Sequence, residues 1–462
     1  MRLLVWTMIA ACGTGQGDVG STPDTPPTDS STDTVEHTGP VLSENVLVVL
    51  LDDLGIDKVS AYHPDVATVP QPTLDRLSTE GMRFTTAWTQ PVCSPTRASL
   101  LTGRHARRLG IGDWLENLGA VELAPGVPLL PELIEEAQPE RATGAFGKWH
   151  LAGEASPNGI DHPNVRGFDH YAGALGNIGP PYTYSTYPMV VNGAQSTREG
   201  YLTSDTIDDA VAWLQSTPEP WFAYVATHAV HSPLHVPPDD LHSGDPQTLV
   251  ELHGAMLEAL DIELGRLLDG IPPEQRERTH VVVLGDNGTV QAVVTDPFPS
   301  WSCKGTPNEG GVRVPMWVLG PSVQPGTVTD AMVHVTDILP TVAGWTDLPL
   351  DTPLDGMDLA PILADPSAEG HELLYADRFG PAGPGPYTEI DWRVVRDRDY
   401  KFIVDERSGT EILSRIQGPD LRDEIPVHPD DKTADDLAAE ARLRAEMDRL
   451  RAELTLEVDL PR

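Results

Sequence analysis

Residues 46–51, Val-Leu-Val-Val-Leu-Leu, are apolar without a break. A strand with one wet face alternates, so an unbroken β-branched run predicts a strand covered on both sides. It ends in Asp52-Asp53-Leu54-Gly55, and a second such run, Val281-Val282-Val283-Leu284, ends in Gly285-Asp286-Asn287-Gly288. Apolar positions at helical spacing predict helices over 73–81, 127–137, 204–215 and 249–268. Strands are expected over 82–88, 144–151 (running into a loop) and 221–227. Strands alternating with helices predict an α/β fold with a large, mostly parallel sheet flanked by helices. Glycine, proline and tyrosine dominate 166–201, which is expected to be irregular and surface-exposed.

After about residue 375 the pattern changes. Residues 392–396 and 400–404 read as a hairpin, 410–414 as a further strand and 433–454 as a helix of mixed charge. The expectation is a catalytic domain over 44–375 and a C-terminal subdomain over 376–462, a smaller antiparallel sheet plus helix. At the other end, a single arginine and a short apolar run precede Cys12-Gly13. The run is too short to span a bilayer, and 1–12 reads as a lipoprotein-type signal peptide ending at a lipidated Cys12. Residues 13–43, rich in Ser, Thr, Pro, Gly and Asp, read as a disordered acidic linker, because they carry too little apolar surface to repay ordering. The chain is thus expected to be exported and held in the cell envelope, at the outer membrane.

Composition narrows the partners. Lys+Arg 31 against Asp+Glu 70 gives a net charge of −39. Such a field excludes nucleic acid and leaves a lipid anchor as the only membrane contact. Within it, Arg97, Arg104, Arg107 and Arg108 form an island free of acids; Arg107 and Arg108 are expected to lie on a solvated face. Lysine occurs only at 58, 148, 304, 401 and 432. Lys148 and Lys304 fall in candidate motifs, where a compact ammonium can approach anionic oxygens. The cysteines at 12, 93 and 303 give no disulfide framework, and Cys303 reads as a free, partly buried thiol.

Two buried-type strands that both end in oxygen donors point to a bound cation. Asp52, Asp53, Asp286 and Asn287 suit a hard ion such as Ca²⁺ or Mg²⁺, not zinc. In Cys93-Ser94-Pro95-Thr96-Arg97 the proline fits a first helical turn, which puts Cys93 at a helix N-terminus with Arg97 on the same side.

Cys-x-Pro-x-Arg followed by Thr102-Gly103 resembles the signature of the sulfatase family, the formylglycine-dependent, arylsulfatase-like enzymes of the alkaline phosphatase superfamily. The resemblance runs from about 45 to 415. It includes Asp52-Asp53, Gly147-Lys148-Trp149-His150, the His228–Pro233 stretch, Asp286-Asn287, and Lys304-Gly305 leading into Glu309-Gly310-Gly311-Val312-Arg313-Val314-Pro315. It implies that a formylglycine-generating enzyme converts Cys93 to 3-oxoalanine. That residue would share Ca²⁺ (or Mg²⁺ or Mn²⁺) with Asp52, Asp53, Asp286 and Asn287. Arg97, Lys148, His150, His231 and Lys304 would line the sulfate pocket. The hydrated aldehyde would attack sulfur with Asp286 accepting its proton, His231 or Lys304 would protonate the leaving oxygen, and His150 would drive release of sulfate. His231 matches best by its Ser232-Pro233 neighbours, with His228 as the alternative; Trp149 reads as packing. The implied substrates are aryl sulfates or sulfated carbohydrates. The alternatives are a phosphodiester or phosphonate monoester hydrolase, or a non-catalytic surface binding protein of the same fold.

Overall fold

The computed structural model describes residues 44–64, 69–383, 385–418 and 423–457; the expected signal peptide, the Cys12 anchor and the linker lie outside the described residues. The first apolar run forms β1 (Asn45–Leu51), buried at every position. Val46, Val48 and Leu50 join one core while Leu47, Val49 and Leu51 join another. Alternation along a strand thus builds a core on each face of the sheet. Each such side chain contributes roughly 1.5–3 kcal/mol of burial.

The other strands of this sheet are β2 (Met82–Trp88), β3 (Ala142–Lys148), β4 (His170–Ala174), β5 (Thr186–Val191), β6 (Ala194–Glu199), β7 (Trp221–Ala226), β8 (Thr279–Gly285), β9 (Arg313–Leu319) and β10 (Thr327–His334). Their order is β10-β2-β9-β8-β1-β7-β3-β4-β5-β6. The centre, β8-β1-β7-β3-β4, is parallel. β9 runs antiparallel between β8 and β2, and β5 and β6 form an antiparallel edge.

That edge corrects one expectation. Residues 166–201 are not an irregular surface stretch, since β4, β5 and β6 lie within them and Tyr171, Tyr184 and Tyr187 are buried. Glycine serves close packing here: a Cβ on Gly173 would sit 1.8 Å from the Gly147 carbonyl oxygen on β3. The predicted helices appear at Pro72–Glu80, Leu130–Ala137, Leu202–Ser216 and Leu249–Gly270. Among the described residues no helix is long and apolar enough to cross a membrane.

A second sheet, β11 (Leu374–Gly380), β12 (Ile390–Arg396), β13 (Tyr400–Asp405), β14 (Thr410–Gln417) and β15 (Asp423–Pro426), is antiparallel throughout. One face packs Val395, Phe402, Val404 and Leu413 against Leu443, Met447 and Leu450 of the helix Ala434–Glu453. The other sets Ala376, Val394 and Ile403 against Trp88 and Val312 of the larger layer. The described residues form one compact unit.

Ion pairs fasten the two sheets together and correct a second expectation. Arg107 is buried, not solvated, and its guanidinium reaches Asp377 at 2.9 Å and Asp391 at 2.8 Å. Arg108 likewise pairs with Asp355 and Glu457, each at 3.0 Å. The helix face that carries them is covered by the second sheet and the chain's last described residues. Glu309, in the turn Glu309–Val312, is fully buried between Arg396 at 2.8 Å and Lys401 at 3.2 Å.

Candidate active site

The C-terminal ends of β1, β3, β7 and β8 meet at one edge of the sheet, where open α/β sheets place their ligands. β1 delivers Asp52 and Asp53, β8 delivers Asp286 and Asn287, β3 ends on Lys148, and β7 leads into His228 and His231. The helix Cys93–Thr102 begins at the same place, with Pro95 in its first turn and Gly103 closing it in a left-handed conformation at φ 64°. Asp53 and His150 also adopt left-handed φ values, both 61°. A residue with a Cβ holds that conformation at a cost of about 1–3 kcal/mol, and such strain concentrates at functional sites.

The structure brings every predicted site residue into one cluster except His228, which lies deeper. Cys93 Sγ is 3.5 Å from Asp52 Oδ1 and 3.4 Å from Lys304 Nζ. Arg97, fully buried, donates to Asp286 Oδ2 at 3.0 Å and to the Lys148 carbonyl at 2.6 Å, and lies 3.6 Å from Asp52. Lys148 pairs with Asp52, and Lys304 with Asp53 at 2.5 Å. Asn287 Nδ2 donates to Asp53 Oδ1 at 2.8 Å, and the Asp53 amide donates to Asp286 Oδ1 at 3.0 Å. His231 Nε2 is 3.8 Å from Asp53. His228 is instead tied by Nε2 to the Gly176 carbonyl at 3.2 Å.

These contacts set the proton inventory. Burial pushes the Cys93 thiol up to about 12, with Asp286 and Asp52 adding to it, so the N-terminal helix position does not yield a thiolate. A protonated thiol is a poor nucleophile. Burial and the neighbouring Asp52 charge raise Asp286 to about 7. Burial would also raise Asp52, but Lys148, His231, Arg97 and Lys304 together hold it well below the carboxylate range. Burial, Lys148 and Arg97 keep His150 neutral, well below the usual imidazole value. Its Nε2–H donates to the Leu115 carbonyl at 3.0 Å, which leaves Nδ1 a buried nitrogen without a protein partner. The second nitrogen's hydrogen bond thereby fixes the tautomer.

The donor set fits a divalent cation. Ligand atoms of Asp52, Asp53, Cys93 and His231 lie within 4.8 Å of one another. Asn287 Oδ1 is buried with no protein partner, although the same amide's nitrogen makes two hydrogen bonds. A buried acceptor left open costs about 1–3 kcal/mol unless something binds it. Asp52, Asp53 and Asn287 offer oxygen to such an ion, beside the Cys93 sulfur and a His231 nitrogen.

Several residues that hold the site escaped sequence reasoning. The Tyr184 hydroxyl lies 2.6 Å from the His228 carbonyl and 2.7 Å from that of His231, clamping the loop after β7. Asp57 accepts from the Thr289 hydroxyl at 2.6 Å and the Thr295 amide at 3.0 Å, joining the loop after β1 to the loop after β8. Arg378, on β11, donates to the Gly305 carbonyl at 2.8 Å beside Lys304. Gly288 has no room for a side chain: a Cβ there would meet the Gly310 carbonyl oxygen at 1.8 Å. The Gly310-Gly311 pair in the motif marked this turn, but nothing local marked Tyr184, Asp57 or Arg378. Trp149 packs in the core, its Nε1 3.0 Å from His162, and Cys303 is a buried free thiol.

Comparison with known proteins agrees with this geometry. A family profile described as Sulfatase matches residues 44–348. Human arylsulfatase G is 30% identical over 440 residues, which are 83% of this chain and 80% of the relative. N-acetylgalactosamine-6-sulfatase of Sus scrofa is 30% identical, with 73% of this chain and 69% of the relative covered. Among solved structures, Ps i-CgsB superposes with a TM-score of 0.74 at 25% identity, covering 88% of this chain and 92% of that one. With the motifs assembled at one sheet edge and the match spanning most of its length, the chain belongs to the sulfatase family and is a hydrolase of sulfuric ester bonds.

Proposed function

We propose that this chain removes sulfate from a sulfated carbohydrate, with Cys93 converted to formylglycine by a separate maturing enzyme. A divalent ion, Ca²⁺ in first place and Mg²⁺ or Mn²⁺ otherwise, would be held by Asp52, Asp53, Asp286, Asn287 and the residue at 93. Bound there, the ion supplies Lewis acidity and positive charge, and the aldehyde supplies a hydratable electrophilic carbon. The remaining work falls to the chain's own side chains. Arg97 and Lys148, both buried, and Lys304, 15% exposed, bring fixed positive charge to the sulfate oxygens, and charge held largely away from water stabilises developing charge most. His150, with Nε2–H held by Leu115, keeps Nδ1 ready to take a proton. His231, whose Nδ1 is 2.7 Å from the Ser232 carbonyl, and Lys304 stand on the more open side of the cluster and are the candidates for the leaving-group proton.

The observation that carries this reading is the placing of Cys93 Sγ, at a helix N-terminus and within 3.5 Å of both Asp52 and Lys304. A sulfated saccharide as substrate draws support from Ps i-CgsB, solved in complex with k-i-k-neocarrahexaose, and from the 6-sulfatase relative. Lipidation at Cys12 would place the enzyme in the cell envelope. The test is a peptide mass spectrum across Cys93, on protein from its native host, together with an assay of sulfate release. Formylglycine at 93 with sulfate release is the expected outcome. An active protein with an unmodified thiol would overturn the nucleophile assignment.

A further inference from the structure

Of the tryptophans described, only Trp114 and Trp301 are exposed, at 47% and 50%. Neither is scattered at random: each lies on a loop that also serves the candidate site. Trp301 is three residues before Lys304. Trp114 is tied more closely. Its neighbour Leu115 accepts from His150 Nε2 at 3.0 Å and donates its amide to Ser94 Oγ at 3.1 Å, beside Cys93. On the other side, Asp113 holds Arg378 through contacts of 3.1 and 3.0 Å, and Arg378 donates to the carbonyl of Gly305 at 2.8 Å. The Arg378 guanidinium lies over the Trp114 ring, 5.2 Å from its centroid.

This arrangement ties the segment that carries the Trp114 indole to Ser94 beside Cys93, to His150 itself and, through Arg378, to Gly305 beside Lys304. A large aromatic normally buries itself, and leaving half of it in water forfeits a substantial hydrophobic gain. Here the ring is exposed yet held on one face, where the Arg378 guanidinium lies over it, itself paired with Asp113 through two contacts. The free part of the indole is an apolar plate, with the Asp113 carboxylate and the Arg378 guanidinium at its margin. A pyranose presents the complement, a patch of C–H groups bordered by hydroxyls. We infer that Trp114, locked by Arg378 and Asp113, is the stacking surface for the sugar ring that carries the scissile sulfate. The inference deepens the carbohydrate-sulfatase reading and rests on it for the identity of the ligand.

The test measures binding apart from turnover. Wild-type protein, Trp114→Ala and Trp114→Phe are titrated with a panel of sulfated hexose and hexosamine oligosaccharides by calorimetry. Sulfate release is then followed with the oligosaccharide that binds and with methyl sulfate, which has no ring to stack. Trp114→Ala is expected to weaken oligosaccharide binding and raise its KM by roughly five- to tenfold, the order lost with one aromatic contact. Its kcat and its turnover of methyl sulfate stay within twofold of wild type, and Trp114→Phe recovers most of the binding. Equal binding by wild type and Trp114→Ala overturns the assignment, as does failure of the whole panel to bind wild type. An equal loss on both substrates also overturns it, assigning Trp114 to loop structure behind His150. If wild-type protein binds sulfated sugar through Trp114 but releases no sulfate, the hydrolytic reading fails and this one stands.

Discussion

Replacing Glu309 with glutamine tests whether the second sheet braces the catalytic loops. The carboxylate is fully buried, with Arg396 at 2.8 Å, Lys401 at 3.2 Å and Arg313 at 3.7 Å. Burial alone would raise its pKa, but those three cations overcome it and bring Glu309 from 4.5 down to about 2. At about 1.4 kcal/mol per unit, the ionised form contributes roughly 3 kcal/mol to the folded state. Because the folded value is the depressed one, this contribution is complete above pH 4.5 and is lost as pH falls from there towards 2. Glu424, which shares Lys401 at 3.2 Å and is itself raised by burial and by the Glu309 charge, offsets part of the loss. Glu309→Gln should therefore destabilise the protein by about 2–3 kcal/mol at pH 7, and by less as the pH is lowered below 4.5. Urea unfolding followed by tryptophan fluorescence, with wild type and variant paired at each pH, measures the difference. The same turn donates the Gly310 amide to Ser302 Oγ at 2.9 Å and accepts the Gly288 amide on the Gly311 carbonyl at 3.0 Å. Loss of activity should therefore precede global unfolding in the variant. A difference under about 1 kcal/mol, or one that does not change with pH, would refute the bracing role.

Three further outcomes are expected. Exhaustive chelation should abolish sulfate release, and added Ca²⁺ should restore it while raising the thermal midpoint, since an ion bound only by the folded state stabilises it. Tyr184→Phe removes the hydroxyl between the His228 and His231 carbonyls; it should cost about 1–2 kcal/mol in unfolding experiments and lower kcat/KM severalfold. His371 is raised by Asp337, 2.8 Å away, against the opposing effect of burial. Its contribution is complete below the ordinary histidine value and fades as pH rises through the higher folded one, so His371→Gln should flatten the stability profile on the alkaline side of about pH 6.5.

The central strands were legible because burial on both faces leaves a local trace. β1 and β8 need no other part of the chain to declare themselves apolar, and the carboxylates at their ends follow at once. The edge formed by β4, β5 and β6 was not legible. Tyr171 and Gly173 have the composition of a loop and become core only when β3 lies alongside them. Arg107 shows the same limit: its partners are 270 and 284 residues away, so no window of sequence contains both ends of the contact. Sequence left His228 and His231 unresolved, since three residues separate them on one loop. Depth distinguishes them, with one nitrogen 3.8 Å from Asp53 and the other ring tied to Gly176.

The lysines have a practical consequence beyond catalysis. Lys58, Lys148 and Lys401 are buried, and the side chains of Lys304 and Lys432 are only 15% and 17% exposed. All five ammonium groups are engaged by carboxylates. A chain of 462 residues therefore offers acylating reagents almost no free lysine amine while it is folded. Incorporation of an amine-reactive label becomes a clock for opening of the fold, read peptide by peptide. Lys304 should report the loop over the catalytic pocket, and Lys401 the separation of the two sheets.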